Sequence, residues 1–424
     1  MRVGIDFGTS NSTVAVIGDD GLVRLARFHH ALTDADTDTT PTVLFFPGYE
    51  RDVHFGHAAV SRYLFTGLEG RFIQSMKAFL PAQSFTGTLI RGQKYEIEDL
   101  VTVFLRRLIA ATEETLGVKI EGDLVVGRPA RFSLEPDKDA LAESRLRRAV
   151  GAAGLSTFRF LIEPVAAALA YESTLERDQT VLIADLGGGT SDFTVMRVGP
   201  SQRPLGDRRP SILASGGLPI AGDKLDGELV RTALLERLGA GSDYLAFTDR
   251  APVPSWIFQR LLQWNHVSFL KSKDMLEFLR RVHRDSSAPD AIGRLLRIVE
   301  EDQGYLLFRA VERAKRALAD QETARIADEE HGLAIDAEIT RPQADAAMAP
   351  LVERIFATAE ETLAAAEVEP DAVDAVFMTG GTSLLPAIRR RFEALFGTER
   401  IQGGRTFTSV AVGLALGAGA RFSA

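Results

Sequence analysis

An α/β fold with an internal duplication is predicted by three observations. Strands and helices alternate along most of the 424 residues. A glycine-rich turn, Gly4-Ile5-Asp6-Phe7-Gly8-Thr9-Ser10-Asn11-Ser12, opens the chain, and a second, Asp185-Leu186-Gly187-Gly188-Gly189-Thr190-Ser191-Asp192, follows half a chain later. Each turn lies between two apolar strands: Met1 to Ile5 and Thr13 to Ile17 in the first case, Val181 to Ala184 and Phe193 to Val198 in the second. A strand–turn–strand unit that restarts near Thr180 is a supersecondary repeat. It divides the chain near residues 172 to 180, into lobes spanning about 1–175 and 176–424.

The elements between follow from periodicity. Val23 to Phe28 reads as a third strand and Thr33 to Thr40 as a polar loop. Ile97, Leu100, Val101, Phe104, Leu105 and Leu108 recur at helical spacing, and Gly117 stops that helix. Leu124 to Val126 is a short buried strand, Ser133 to Gly154 a charged helix, and Phe158 to Ile162 a strand. Pro164 suits the first turn of an alanine-rich helix. Ala214 to Ile220 is a strand, and Leu225 to about Asp320 a mostly helical subdomain. A β pair around Ile326 to Ile339, a helix from Gln343 to Ala366 and a strand from Ala375 to Met378 complete the order. Gly380-Gly381-Thr382-Ser383 then leads into a helix, whose N-terminus would face an anion. Within Pro252 to Glu301, Trp256, Trp264, Phe258, Phe269 and Phe278 read first as subdomain core and second as a docking face.

Composition bounds the function. Hydrophobic residues make up 45% and charged residues 25%, enough for sizeable cores in a globular chain. The formal net charge of −9 disfavours nucleic acid and anionic membrane as partners. Basic runs at Arg145, Arg147 and Arg148 and at Arg389 to Arg391 read as solvated helix faces. Without cysteine, disulfides and thiolate chemistry are excluded. No signal peptide is evident, which makes the cytoplasm the expected location. Val410 to Ala420 is apolar but short and rich in Ala and Gly, so a closely packed core helix is expected.

The glycine turns carry the chemistry. Glycines let backbone N–H groups approach phosphate oxygens closely, and two such turns face to face would grip a polyphosphate from both sides. Asp6 and Asp185 end the leading strands and cannot touch phosphate directly, which implies a cation between. Glu163, at a strand end before Pro164, is either a charge favourable at a helix N-terminus or a third carboxylate of the site. Three carboxylates there would hold a hydrated magnesium ion and orient an attacking water. Taken alone, Lys77 reads as a surface lysine, and Glu312 to Leu318 as a solvated helix face.

Together these segments resemble the ATPase domain of DnaK-type heat-shock chaperones, within the actin and sugar-kinase superfamily. The first turn is similar to that family's first phosphate motif, Asp185 to Asp192 to its second, and Glu163 to Tyr171 to its connecting segment. Val376 to Pro386 is similar to the adenosine motif, and Leu124 to Phe132 to the strand before a proline. Order and spacing agree from residue 1 to about 420, more weakly over 230 to 310. The resemblance implies an actin-like ATPase with two ribonuclease-H-like lobes around a nucleotide cleft, ATP or ADP and Mg2+ as ligands, and ATP hydrolysis.

By that resemblance, Asp6, Glu163 and Asp185 surround magnesium and the attacking water, with Asp6 and Asp185 reaching the metal through water. Gly8, Thr9, Ser10, Gly187, Gly188, Gly189 and Thr190 contact phosphates, and Lys77 occupies the place of the catalytic lysine. Gly222 and Asp223 reach the γ-phosphate side. Gly380, Gly381 and Thr382 face the α-phosphate and ribose, and Glu312, Lys315 and Arg316 the adenosine. Pro129 corresponds to a relay proline. Ala319, Leu384, Phe407 and Asn11 depart from the family pattern and suggest altered adenine contacts. The chain stops at Ala424 without a peptide-binding sandwich, as in the short YegD-like branch. The expectation is a monomeric, chaperone-like ATPase with a protein client or co-factor; the alternatives are a nucleotide sensor with little hydrolysis and a small-molecule kinase.

Overall fold

The computed structural model describes residues 1–30, 32–85, 87–403 and 408–420, without the side chains of residues 264, 265, 268 and 269. Phe407 therefore lies outside the described residues, as do the side chains of Trp264 and Phe269. Two compact units divide the chain: Met1–Gly222 with Arg354–Ala424, and Asp223–Glu353.

The first unit holds two sheets of the same topology. In one, β1 (Arg2–Phe7), β2 (Asn11–Ile17), β3 (Val23–Leu25), β4 (Asp123–Arg128) and β5 (Arg159–Ile162) are ordered β5-β4-β1-β2-β3. In the other, β6 (Gln179–Leu186), β7 (Ser191–Val198), β8 (Ile212–Leu218), β9 (Ala375–Thr379) and β10 (Ile401–Gly403) are ordered β8-β7-β6-β9-β10. In both, the first three strands form an antiparallel meander and the last two run parallel to the first. The duplication expected from two hairpins thus extends to all five strands. It was hidden in the sequence because the parallel partners β4 and β9 arrive by long crossovers.

The helices of this unit include α1 (Ile97–Leu116), α2 (Pro136–Ala152), α3 (Glu163–Glu172), α4 (Arg341–Ala365, whose C-terminal half belongs here), α5 (Pro386–Phe396) and α6 (Ser409–Gly417). The six apolar positions of α1 named above are all buried, and Gly117 ends the helix at a φ of 65°. A capping box opens it, with the Glu96 N–H donating to Asp99 Oδ2 at 2.9 Å. α3 and α6 share one core cluster with residues of both sheets, among them Val125, Val181, Ile183 and Phe377. Their close approach, and that of α6 to β1, needs residues without bulk: a Cβ on Gly413 would lie 1.6 Å from the Ala166 carbonyl oxygen, and one on Gly4 of β1 2.3 Å from that of Ala411. α6 is therefore the packed core helix its composition suggested. Among the described residues no helix is long and apolar enough to cross a membrane.

Three expectations change locally. The third strand stops at Leu25, and Phe28–His30 pairs instead with Ala35–Thr37, inside the segment read as a polar loop. Thr40–Pro41 adds to β2 at Ser12 and Asn11. Gly381–Leu384 is a single 3-10 turn, and α5 begins only at Pro386, so no long helix dipole stands at Gly380.

The second unit contains the helices Gly222–Ala233, Ser255–Arg260, Lys273–Asp285, Pro289–Glu300 and Gly304–Ala317. It also holds a hairpin the sequence reading missed, Asp243–Ala246 with Asp249–Pro252. The β pair near Ile326 is Thr323–Ile326 with Ala337–Thr340. In the tryptophan-bearing segment Ile257, Phe258 and Leu261 are buried, whereas Trp256 is 44% exposed with Arg260 over its ring.

Candidate functional site

The first glycine turn is closed so tightly that a Cβ on Gly8 would meet the Asn11 carbonyl oxygen at 2.2 Å. Asp6 pairs with Thr13 across the hairpin, and Phe7 with Ser12. The turn is braced from outside: the Thr42 N–H donates to the Ser10 carbonyl at 2.8 Å, and the Ser12 and Thr42 hydroxyls share a bond of 2.8 Å. In the second turn Asp185 stands opposite Asp192 and Leu186 opposite Ser191, and the Gly187 N–H closes the loop on the Thr190 carbonyl at 3.0 Å.

The two tips meet. A Cβ on Gly189 would lie 2.7 Å from Thr9 Oγ1, so this glycine is what lets the turns face each other. The third glycine turn folds onto the second: the Thr382 hydroxyl donates to the Gly187 carbonyl at 2.7 Å, and the Gly222 N–H to the same oxygen at 3.2 Å. Gly380 adopts a φ of 81°, and a Cβ there would collide with the Leu186 carbonyl oxygen at 2.3 Å. Gly8, Thr9, Ser10, Gly187, Gly188, Gly189, Thr190, Gly222, Gly380, Gly381 and Thr382 are thereby brought together around one place.

Lys77 is not a surface lysine. It sits on the single-turn helix Met76–Phe79, entered through Ser75 in a left-handed conformation (φ 47°, ψ 37°), a strained state for a residue with a Cβ. Its side chain is buried, and Nζ donates to Glu163 Oε1 at 2.5 Å. Glu163 begins α3, where the helix N-terminus favours its charge. Gly127 on β4 leaves it space, since a Cβ there would touch Glu163 Cγ at 3.2 Å.

Four carboxylates and one lysine share this pocket of charge. Burial, then Glu163, raises Asp6 to about 7, with Lys77 opposing. Burial, then Glu163, Asp192 and Asp6, pushes Asp185 well above the usual carboxylate range. Burial would pull the Lys77 ammonium down, but Glu163 and Asp6 beside it leave it raised.

Asp192 is the member that sequence reasoning passed over. Burial, then Glu163, raises it to about 7. Its Oδ1 accepts the Ala130 N–H at 2.7 Å and the Arg131 N–H at 3.4 Å, from the segment after Pro129. A signal was present: residues directly opposite in an antiparallel pair point to the same face, so Asp185 and Asp192 had to lie side by side.

The sign of the stability effect follows. The unfolded Asp192 ionises near 3.8 and the folded one near 7. Stability from this group is thus lost as pH rises between these values, reaching about 4 kcal/mol above pH 7. Asp192→Asn keeps the oxygen for Ala130 and removes the charge. It is expected to raise the melting temperature of the nucleotide-free protein at pH 8 and change it little at pH 4; a difference that is flat across that range contradicts the assignment.

Magnesium fits this cluster. Asp6, Glu163, Asp185 and Asp192 outnumber Lys77, and the raised acids mark negative charge that a divalent cation would neutralise. Among the described residues no group of three carboxylates or imidazoles is arranged for direct ligation.

Glu312, Lys315 and Arg316 belong to the second unit, on its Gly304–Ala317 helix. Lys315 is buried against Asp226 at 2.7 Å, while Arg316 pairs with Glu312 at 3.4 Å on the exposed face. Burial raises Asp226, and Lys315 opposes it. Leu384 is 43% exposed at the end of its 3-10 turn.

The family model of the Hsp70 protein matches residues 2–202 and 300–422, which takes in the first sheet, every strand of the second except β8, all three glycine turns and Lys77. The chain belongs to the Hsp70 family and carries that family's actin-like, nucleotide-binding ATPase fold.

Proposed function

We propose that the protein binds ATP with magnesium and hydrolyses it to ADP and phosphate. The observation that carries this reading is the convergence of Asp6, Glu163, Asp185 and Lys77 beside two glycine turns whose tips touch. Gly8, Thr9 and Ser10 on one side and Gly187, Gly188, Gly189 and Thr190 on the other bind the phosphates through N–H groups and hydroxyls. Gly222 supports the γ-phosphate side, and Gly380, Gly381 and Thr382 the α-phosphate and ribose side.

Asp6 and Asp185 would hold the ion through water, and the ion when bound would neutralise charge on the phosphate oxygens. Glu163 and Asp185 orient the attacking water. Asp185 accepts the proton of that water. Lys77 stabilises the charge that develops as the γ-phosphate leaves.

Asp185→Asn, which preserves shape, is expected to slow magnesium-dependent ATP turnover by ~10²–10³-fold while nucleotide still binds. An unchanged rate removes Asp185 from the mechanism. A second reading, a sensor with little hydrolysis, is favoured by one contact: Glu163 holds the Lys77 ammonium at 2.5 Å and competes with phosphate for it. Single-turnover kinetics separate the two, since the sensor would bind ATP without converting it on the timescale of release.

A further inference from the structure

The single-turn helix that carries Lys77 is far shorter than one that persists alone in water. At its end and in the loop after it, the Ala82 N–H donates to the Phe79 carbonyl at 3.0 Å and the Phe85 N–H to the Ala82 carbonyl at 3.2 Å. Arg145, projecting from α2, adds donors to these carbonyls and to those of Leu80 and Phe85. Its Nη1 donates to the carbonyl oxygens of Leu80 at 2.9 Å, Ala82 at 3.0 Å and Phe79 at 3.4 Å, and its Nη2 to that of Phe85 at 3.4 Å. Its Nε lies 3.7 Å from Glu98 in the first turn of α1, and Glu98 also accepts Arg148 Nη2 at 2.5 Å. The Arg145 side chain is only 12% exposed, whereas those of Arg147 and Arg148 are 52% and 61% exposed. The basic run is therefore not one solvated face; its first member is an internal clamp. The rings of Phe79 and Phe85, tilted against each other with centroids 4.9 Å apart, close the same loop.

We propose that Arg145 is a positioning residue for Lys77. Strain enters the lysine's short helix at Ser75, and the guanidinium secures its exit, so that Nζ is presented at one place in the carboxylate cluster. A lysine at 145 could not do this: its ammonium is a point charge, without the planar fork that reaches several carbonyls at once. The inference rests on the proposed role of Lys77.

The test compares the wild type with R145A and R145K in four measurements. These are acylation of Lys77 by an amine-reactive reagent in the nucleotide-free protein, amide hydrogen exchange over residues 78–85, ATP affinity, and single-turnover hydrolysis. R145A is expected to raise both Lys77 labelling and local exchange by about tenfold or more. It should slow hydrolysis by ~10–100-fold with ATP affinity within about twofold of wild type. R145K, which keeps the charge and the apolar stem, is expected to fall between and serves alone should R145A not fold. Wild-type labelling and exchange in the variants overturn the proposal, as does unchanged hydrolysis in a protein that K77A inactivates. If the wild type itself does not hydrolyse ATP, the catalytic reading of Lys77 falls, and labelling and exchange alone decide the role of Arg145.

Discussion

Replacing Lys77 with alanine is expected to lower single-turnover ATP hydrolysis by ~10²–10³-fold, the cost of deleting one preorganised donor to developing charge. The same change has a second, structural effect that has to be separated from it. Glu163 would be left buried with its partner gone, beside Asp6, Asp185 and Asp192. Breaking a buried ion pair from one side costs about 3–5 kcal/mol. The double variant K77A/E163Q removes that unpaired carboxylate. It is expected to regain most of the lost stability in chemical denaturation and none of the lost hydrolysis. Recovery of hydrolysis in the double variant would mean that Lys77 serves only to neutralise Glu163.

Gly413→Ala is expected to be the most damaging substitution outside the site. The added methyl would sit 1.6 Å from the Ala166 carbonyl oxygen, a backbone atom that cannot rotate away. Either α6 or α3 must shift as a body, and both lie in the core cluster shared with the two sheets. Overpacking of ordinary side chains costs about 1–3 kcal/mol, and a backbone collision belongs at or above the top of that range. Because α3 begins at Glu163, the shift also moves the carboxylate that holds Lys77. The expected result is a large fall in denaturation midpoint, with nucleotide affinity reduced in whatever folded protein remains. Wild-type stability in this variant would show that the helices have room the structure does not give them.

Local chemistry was the legible part of this protein. The glycine turns, the acidic residues at their strand ends, the six buried positions of α1 and the stop at Gly117 are all short-range features. Each depends on a few adjacent dihedrals or on a period of two or 3.6 residues. The missed hairpin at Asp243–Pro252 lies in a segment read as helical and carries Phe247 at a φ of 58°. No Gly or Asn marked that turn as left-handed. Arg145 looked like its exposed neighbours because charge patterning reports what a residue is and not which carbonyls surround it.

By itself the sequence determined where backbone had to turn, which turn residues carried no side chain, and which acids ended the strands beside them. The match in order and spacing of those turns was enough to indicate the family. Only the tertiary structure decided that Lys77 is buried on Glu163, that Asp192 joins Asp6 and Asp185, and that Arg145 gathers the loop from Phe79 to Phe85. These contacts join residues tens of positions apart. They depend on how sheets and helices stack, and burial then raises Asp6, Asp185 and Asp192 above the usual carboxylate range.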